Sequence, residues 1–292
     1  MKRLFNMLLA LALVITSVLV CFAPAAKVSA ASGSVRKLSN GKTYSTWDMD
    51  GNGSTDKLIV KQIMDGDTLT SAKVYLNGKC RYTFKINAPD SNVITYVISL
   101  GNGEKLLYMK HSGPNEDGSG RILAWSRSEN KYKNIFNVTN AAGLCDSGVH
   151  FFPAPISAGT DTVKFSFRVC NDVCGAIEYS YSYRYANGKM KRTTSAGSIV
   201  HLYRLDENYE AQETRLLTAA RSIKVYTKPG DTSASNVQQT IKAGKKVKFR
   251  SVWTNGKTFW LKVTVNGKTG YIKGYRNSGD YNRYFKDEFV YG

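Results

Sequence analysis

Short runs of alternating apolar and polar residues dominate the chain after residue 36. Clear cases lie at 72–76, 93–100, 162–169 and 177–185. An alternation of period two predicts strands with one buried face. The last run places Tyr179, Tyr181, Tyr183 and Tyr185 on one face. Such a stripe is either a carbohydrate platform or a core-facing strand, and the core is the commoner place for it.

Asn-Gly dipeptides recur between these runs. Both residue types tolerate the positive φ of a tight hairpin turn that matches strand twist. We therefore expect hairpins at Asn40-Gly41, Asn77-Gly78, Asn102-Gly103, Asn187-Gly188, Asn255-Gly256 and Asn266-Gly267. Strands joined by such turns indicate an all-β fold.

Residues 206–217 interrupt this pattern because they are locally acidic and do not alternate. We expect a linker there, with one or two turns of helix, between two domains. The predicted organisation is a β-rich domain at 36–205, a smaller domain at 218–276 and a C-terminal tail at 277–292.

The first thirty residues have the features of a secretory signal peptide. Lys2 and Arg3 precede an apolar run from Leu4 to Phe22, and Val28-Ser29-Ala30 is a small-residue cleavage pattern. A membrane anchor is the lesser alternative, since the run is barely long enough to span a bilayer. We therefore expect an extracellular or cell-wall-associated protein with no stable membrane insertion after cleavage.

The chain is strongly basic, with a formal net charge of +19. Loss of Lys2, Arg3 and Lys27 with the signal leaves 38 basic and 22 acidic residues, or +16. Export and the scatter of the cations along strand-like segments argue against nucleic acid as the partner. Cell-wall peptidoglycan or another anionic envelope polymer fits better. The alternative is a basic surface that only keeps the protein soluble.

Four cysteines remain after cleavage, Cys80, Cys145, Cys170 and Cys174. An even number in an oxidising compartment favours disulfides, for which three pairings exist. Cys170 and Cys174 would face each other across a tight hairpin, so that bridge is the first to test. A zinc site is the rival interpretation, with poor ligand spacing.

An acidic loop opens the mature domain. Asp48, Asp50, Asn52 and Asp56 place side-chain oxygens at loop positions 1, 3, 5 and 9, and Ser54 offers an oxygen at position 7. This spacing suits a hard cation such as calcium. It is not an EF-hand, whose twelfth position carries an acid. The alternative is an ordinary turn without metal.

The loop is followed at once by a predicted strand at 57–61, and there it resembles the calcium-binding loops of FG-GAP or integrin-type β-propeller repeats. The resemblance implies that Asp48, Asp50, Asn52, Ser54 and Asp56 bind a structural calcium. One such loop implies at most a partial propeller, so the expected architecture of 36–205 is a β-sandwich or a partial propeller-like domain.

The C-terminal part predicts five short strands, at 222–226, 237–241, 246–253, 258–265 and 268–273. Five strands in this length favour a small barrel. The segments IKVYTKPG, IKAGKKV, FWLKV and NGKTGYI occur in the order and spacing of the bacterial SH3-type domains of cell-wall proteins, which this module resembles.

That resemblance implies binding of cell-wall peptide or another extracellular ligand in a shallow groove. Tyr226, Trp253 and Tyr271 would supply stacking area there. The alternative places Trp260 and Tyr271 in the core, because a barrel this small must fill its interior with large side chains.

One segment has a catalytic interpretation. Residues 145–149, Cys-Asp-Ser-Gly-Val, resemble the nucleophile segment of NlpC-type wall peptidases, and His201 lies downstream. Pro153 and Pro155 follow too closely for the helix that would lower the thiol pKa. We therefore expect a noncatalytic binding protein, with a cell-wall hydrolase as the alternative.

Overall fold

A computed structural model describes residues 32–113, 120–138, 154–171, 173, 175–205, 211–255, 258–274 and 284–286. The predicted signal segment 1–30 lies outside these ranges. Within them, no helix has the length and apolar character that crossing a membrane requires.

The described residues form twenty-one strands and one short 3-10 helix at Ala234–Asn236. The first nine strands are β1 Ser34–Leu38, β2 Thr43–Tyr44, β3 Leu58–Asp65, β4 Thr68–Leu76, β5 Lys79–Pro89, β6 Asn92–Ser99, β7 Lys105–Ser112, β8 Gly120–Ser126 and β9 Lys131–Asn137. The others are β10 Ala154–Ala158, β11 Thr162–Asn171, β12 Gly175–Ala186, β13 Lys189–Arg192, β14 Ala196–Leu205, β15 Ala211–Glu213, β16 Leu216–Thr218, β17 Ile223–Tyr226, β18 Val237–Ile241, β19 Lys246–Thr254, β20 Phe259–Val265 and β21 Lys268–Lys273. The all-β prediction is confirmed.

The strands assemble into three antiparallel sheets. One sheet has the order β2-β3-β4-β5, and a second has the order β1-β6-β7-β8-β9. The third is a twelve-stranded sheet whose main path runs β10-β11-β12-β14-β19-β20-β21-β17-β18. All four strands predicted from alternation between residues 72 and 185 are present.

The five-stranded sheet is buried on both faces. In β7, Leu107 and Met109 join a core with the four-stranded sheet, while Leu106 and Tyr108 join a core with the twelve-stranded sheet. All four residues are 0% exposed. Tyr179, Tyr181 and Tyr183 belong to the second of these cores, which confirms the core interpretation of the tyrosine stripe.

Three of the predicted Asn-Gly turns have positive φ at both residues, namely Asn77-Gly78, Asn187-Gly188 and Asn266-Gly267. Each joins two strands that pair with each other. At Asn40-Gly41 and Asn102-Gly103 only the glycine has positive φ. Gly256 lies outside the described residues.

The five predicted C-terminal strands are present as β17 to β21, but the predicted closed barrel is not found among the described residues. One edge of β19 pairs with two upstream strands. Its first half, Lys246–Lys248, pairs with β16, and its second half, Ser251–Trp253, pairs with β14. Because upstream strands occupy that edge, the sheet continues into the larger part of the chain instead of closing on itself.

The helical expectation for the linker 206–217 is wrong where the structure describes it. Residues Ala211–Glu213 form β15, which pairs with β14, and Leu216–Thr218 form β16. Backbone pairing decides the outcome in these residues, because β15 pairs with β14 and β16 pairs with β19. The domain boundaries themselves stay a prediction.

Part of the predicted tail packs on the core. Phe285 is 1% exposed, forms a β-bridge with Ala219 and meets Phe249 edge-on at 5.3 Å between centroids. The Ala220 N–H donates to the Tyr284 carbonyl at 2.8 Å. Residues 284–286 are therefore fixed beside residues 218–220, at the end of β16.

Cys80 is an exposed free thiol, and no disulfide is found among the described residues. The hairpin between β11 and β12 pairs Cys170 with Ala176. The predicted Cys170–Cys174 bridge is not tested, because Cys174 is one of the residues that the structure does not describe. Cys145 and Cys174 lie outside the described residues.

Candidate functional site

A pocket of about 390 Å³ opens beside β17 and is named here the basic pocket. Its lining consists of Arg221, Ser222, Ile223, Lys224, Tyr226, Thr232, Lys273 and Tyr284. Three of these side chains are cations, and no carboxylate is among the described lining residues. The pocket therefore has a positive potential and offers several N–H donors to an anion.

Strand alternation positions the cations. In β17, Ile223 and Val225 are 2% and 0% exposed and anchor the strand in the core, which leaves Lys224 exposed. Lys273 is the exposed last residue of β21. The Arg221 guanidinium lies over the Tyr284 ring, 5.3 Å from its centroid, within the range of a cation–π contact.

The loop that carries Thr232 is organised by one buried amide. Asn236 is 5% exposed, and its Nδ2 donates to the carbonyls of Lys228 at 2.9 Å and Asp231 at 2.7 Å. Its Oδ1 accepts from the Lys228 N–H at 3.2 Å and from the Thr227 hydroxyl. Because every polar atom of this amide is bonded, the pocket wall at Thr232 is fixed before any ligand binds.

The predicted aromatic ligand residues lie in different places. Tyr226 lines the basic pocket, is 9% exposed and meets Trp260 edge-on. Tyr271 pairs with Tyr226 across neighbouring strands, and the Lys262 ammonium lies over its ring. Trp253 is half-buried on β19, opposite Trp260. Of the three, only Tyr226 is part of the described pocket lining.

Comparison with known proteins assigns no family. No family model, no curated protein and no solved structure matches the chain.

The acidic loop gathers three of the five predicted calcium ligands. Carboxylate oxygens of Asp48, Asp50 and Asp56 lie within 4.8 Å of one another. Asp48 accepts backbone N–H bonds from Gly51, Asn52 and Gly53 at 2.7 to 3.1 Å, and positive φ at Gly51 and Gly53 allows the tight wrap. These bonds, that of Gly53 first, lower the pKa of Asp48.

Asp56 anchors the loop to the hairpin behind it. The residue is 2% exposed, and its Oδ2 accepts from the N–H groups of Met49 at 2.7 Å and Asp50 at 3.2 Å. Its Oδ1 accepts from Asn77 Nδ2 at 2.5 Å. An oxygen with one such bond keeps a lone pair for a cation, and this holds for Asp56 Oδ1, Asp48 Oδ2 and both Asp50 oxygens.

Tyr132 adds an independent observation at this loop. Its side chain is 2% exposed, and its hydroxyl has no hydrogen-bond partner among the described residues. Burial above all, and then the carboxylates of Asp56 and Asp50, raise the pKa of Tyr132. The Tyr132 hydroxyl is therefore a neutral phenol near the charged loop, and the carboxylates are the groups whose chemistry fits a hard cation.

The other two predicted calcium ligands are exposed. Asn52 Nδ2 donates to Asp50 at 3.1 Å, and Asn52 Oδ1 accepts from the Ser54 N–H at 2.8 Å. The amide of Asn52 therefore supports Asp50, while the carboxylates form the centre of the site.

The residues of the hydrolase alternative are described only in part. His201 on β14 lies with its Nδ1 3.2 Å from Glu213 Oε2, an ion pair when the imidazole is protonated. Cys145 lies outside the described residues, so the thiol–imidazole pair stays a prediction.

Sequence reasoning missed most of the basic pocket. Arg221, Lys273 and Tyr284 come from three separate segments, which the fold brings together. The one available signal was alternation in β17, where Lys224 faces away from the core positions Ile223 and Val225.

Proposed function

We propose that this chain is a secreted, noncatalytic binding protein of the bacterial cell envelope, and that its basic pocket holds an anionic group of a wall polymer. The observation that carries the proposal is the lining of that pocket by Arg221, Lys224 and Lys273 without a described carboxylate. Neighbouring cations repel each other, and a phosphate or carboxylate between them removes that repulsion.

The three cations have different roles. Arg221 offers a planar fork for two parallel hydrogen bonds to one anionic group, and the Tyr284 ring limits the freedom of that fork. Lys224 and Lys273 act as point charges. Tyr226 and Tyr284 supply apolar area beside the charges, and the Thr232 hydroxyl is a further donor or acceptor.

Two sequence features support an envelope location. Residues 1–30 have the organisation of a cleaved signal, and the remaining net charge of +16 suits an anionic surface outside the cell. Strands β17 to β21 occur in the order expected of an SH3-type module, which supports assigning wall binding to this part.

The test is retention of the full secreted chain on purified cell walls, measured across a range of salt concentrations. Arg221→Gln should lower the affinity about tenfold, the loss expected for one charge-assisted contact. Arg250→Gln is the matched control, because Arg250 is an exposed cation on β19 that is not part of the pocket lining. Walls stripped of phosphate-rich polymer distinguish phosphate from carboxylate as the bound group.

Equal losses in the two variants would contradict the proposal, since net charge alone would then explain retention. Retention that disappears at moderate salt in both variants would lead to the same conclusion.

We also propose a structural calcium at Asp48, Asp50 and Asp56. The gathered carboxylates support it. The ion would neutralise three like charges and tie the loop to β3, the strand that follows it.

A cell-wall hydrolase is the second candidate. The observation in its favour is the approach of Glu213 to His201, because a carboxylate that orients an imidazole is a common part of thiol-dependent catalysis. Release of soluble wall fragments that disappears in Cys145→Ala would establish it.

A further inference from the structure

A second pocket, of about 460 Å³, lies between the acidic loop and the turn from β6 to β7, and is named here the loop pocket. This volume is within the roughly 300–1,000 Å³ of small-ligand sites. The chemistry of its lining comes from Asp48, Asp50, Glu104, Lys105, Trp125, Arg127 and Tyr185. It shares no lining residue with the basic pocket.

The charges of the loop pocket are mixed, in contrast to those of the basic pocket. Three carboxylates, of Asp48, Asp50 and Glu104, face two cations, Lys105 and Arg127. An anionic ligand would meet the carboxylates, and a cationic ligand would meet the guanidinium and the ammonium. A neutral polyhydroxylated ligand meets neither conflict, because each hydroxyl both donates and accepts.

Three of the polar side chains are held by hydrogen bonds to backbone groups. Arg127 Nη2 donates to the Gly51 carbonyl at 2.8 Å, and Lys105 Nζ donates to the Gly103 carbonyl at 2.7 Å. Asp48 is held by the N–H groups of its own loop. Arginine has five N–H donors and lysine has three, so both keep donors for a ligand. Little conformational entropy is then lost on binding.

Two aromatic rings complete the pocket. Trp125 is half-buried, and Tyr132 meets it edge-on at 5.1 Å between centroids, which fixes its orientation. Tyr185 is also half-buried, and its pKa is raised by burial and then by the Glu104 carboxylate, so the phenol and the carboxylate lie near each other. Aromatic side chains beside charged groups suit the mixed apolar and hydroxyl surface of a sugar.

We propose that the loop pocket binds a neutral saccharide unit, with Glu104 and Arg127 as its hydrogen-bonding pair and Trp125 as its apolar wall. The proposal is independent of the anion site on β17, because no lining residue is shared. Asp48 and Asp50 also belong to the proposed calcium site, so the sugar is assigned to Glu104, Arg127 and Trp125 and the titrations are made both with calcium and with chelator.

Isothermal titration of the full secreted chain with neutral sugars tests this. The probes are glucose, galactose, mannose, N-acetylglucosamine and the N-acetylglucosamine trimer, with glucosamine and glucose 6-phosphate as charged counterparts. We expect saturable binding of at least one neutral probe, with each charged counterpart at least tenfold weaker. Glu104→Gln and Arg127→Gln should each weaken that binding about tenfold.

Lys273→Gln is the matched control, since Lys273 belongs to the basic pocket and should leave sugar binding unchanged. Circular dichroism shows whether each variant is folded, and both substituted residues are exposed, so folding should be retained. The proposal would be overturned if none of the neutral probes showed saturable binding. Tighter binding of a charged counterpart, or unchanged binding in both variants, would overturn it too.

Discussion

Arg221 and Tyr284 are joined by a cation–π contact, with the guanidinium carbon 5.3 Å from the ring centroid. Tyr284 reaches this position because Phe285 is buried next to it and because the Ala220 N–H bonds to its carbonyl. A segment close to the C-terminus therefore positions a cation of the basic pocket.

Removing the Tyr284 ring should weaken anion binding. Tyr284→Leu eliminates the cation–π contact, so the Arg221 side chain must be ordered when the anion binds. Ordering such a side chain costs about 1 kcal/mol, so affinity for wall polymer should fall about fivefold. Tyr284→Phe keeps the ring and should bind like the wild type. Binding isotherms on purified walls compare the two, and equal weakening in both would show that the ring does not matter.

Asn77 should stabilise the acidic loop through two bonds. Its Nδ2 donates to the buried Asp56, and its Oδ1 accepts from the Lys57 N–H at 2.8 Å. Asn77→Gly keeps the positive φ but leaves Asp56 Oδ1 without its donor, so the free energy of unfolding should fall by about 2 kcal/mol.

The matched control is Asn187→Gly, another Asn-Gly turn with positive φ, where no side-chain bond of the asparagine is recorded in the described structure. Its free energy of unfolding should change by less than about 0.5 kcal/mol. Urea unfolding measures both variants, and equal effects would mean that the turn itself, not the contact to Asp56, sets the cost.

Calcium should raise the melting temperature of the wild type. An ion that binds only the folded state raises the free energy of unfolding by about 2.7 kcal/mol when its free concentration is a hundred times its dissociation constant. Asp50→Asn removes a charge from the site and should abolish the shift, whereas Asp65→Asn, at an exposed acid on β3, should keep it. A wild-type melting temperature that does not respond to calcium or to chelator would contradict the proposed calcium site.

Stability should decline at acid pH, and Asp48 should contribute to the decline. The N–H bonds of its loop, that of Gly53 first, hold its pKa below the ordinary 3.8. A lowered folded-state pKa stabilises the protein above pH 3.8, and this contribution is lost as pH falls through the folded-state pKa. Asp48→Asn should therefore reduce the loss of unfolding free energy between pH 5 and pH 2, about the range of such carboxylates. An unchanged slope would contradict this assignment.

The sequence predicted local structure better than it predicted sites. Strands β17 to β21 lie almost where alternation and turns place them, because both signals are local. The alternation pattern did not predict edge strands β15 and β16, because these short strands are stabilised by pairing with β14 and β19. The burial of β7 on both faces likewise depends on two other sheets.

The candidate sites likewise could be predicted only where their residues are close together in the sequence. Asp48, Asp50 and Asp56 come from one nine-residue loop, so their spacing was enough to expect them together. The basic pocket combines β17, the end of β21 and residue 284, and only Tyr226 of its lining was anticipated. Contacts among distant segments are set by packing, which spacing along the chain does not encode.

The most direct test of wall binding through the basic pocket compares two double variants of equal net charge. Lys224→Gln/Lys273→Gln removes two lining cations, and Lys85→Gln/Lys189→Gln removes two exposed lysines outside the pocket. The measurement is the dissociation constant of the full secreted chain on purified cell walls at fixed salt. We expect at least about a tenfold loss in the first variant and less than about a twofold loss in the second. Equal losses in the two would contradict the account.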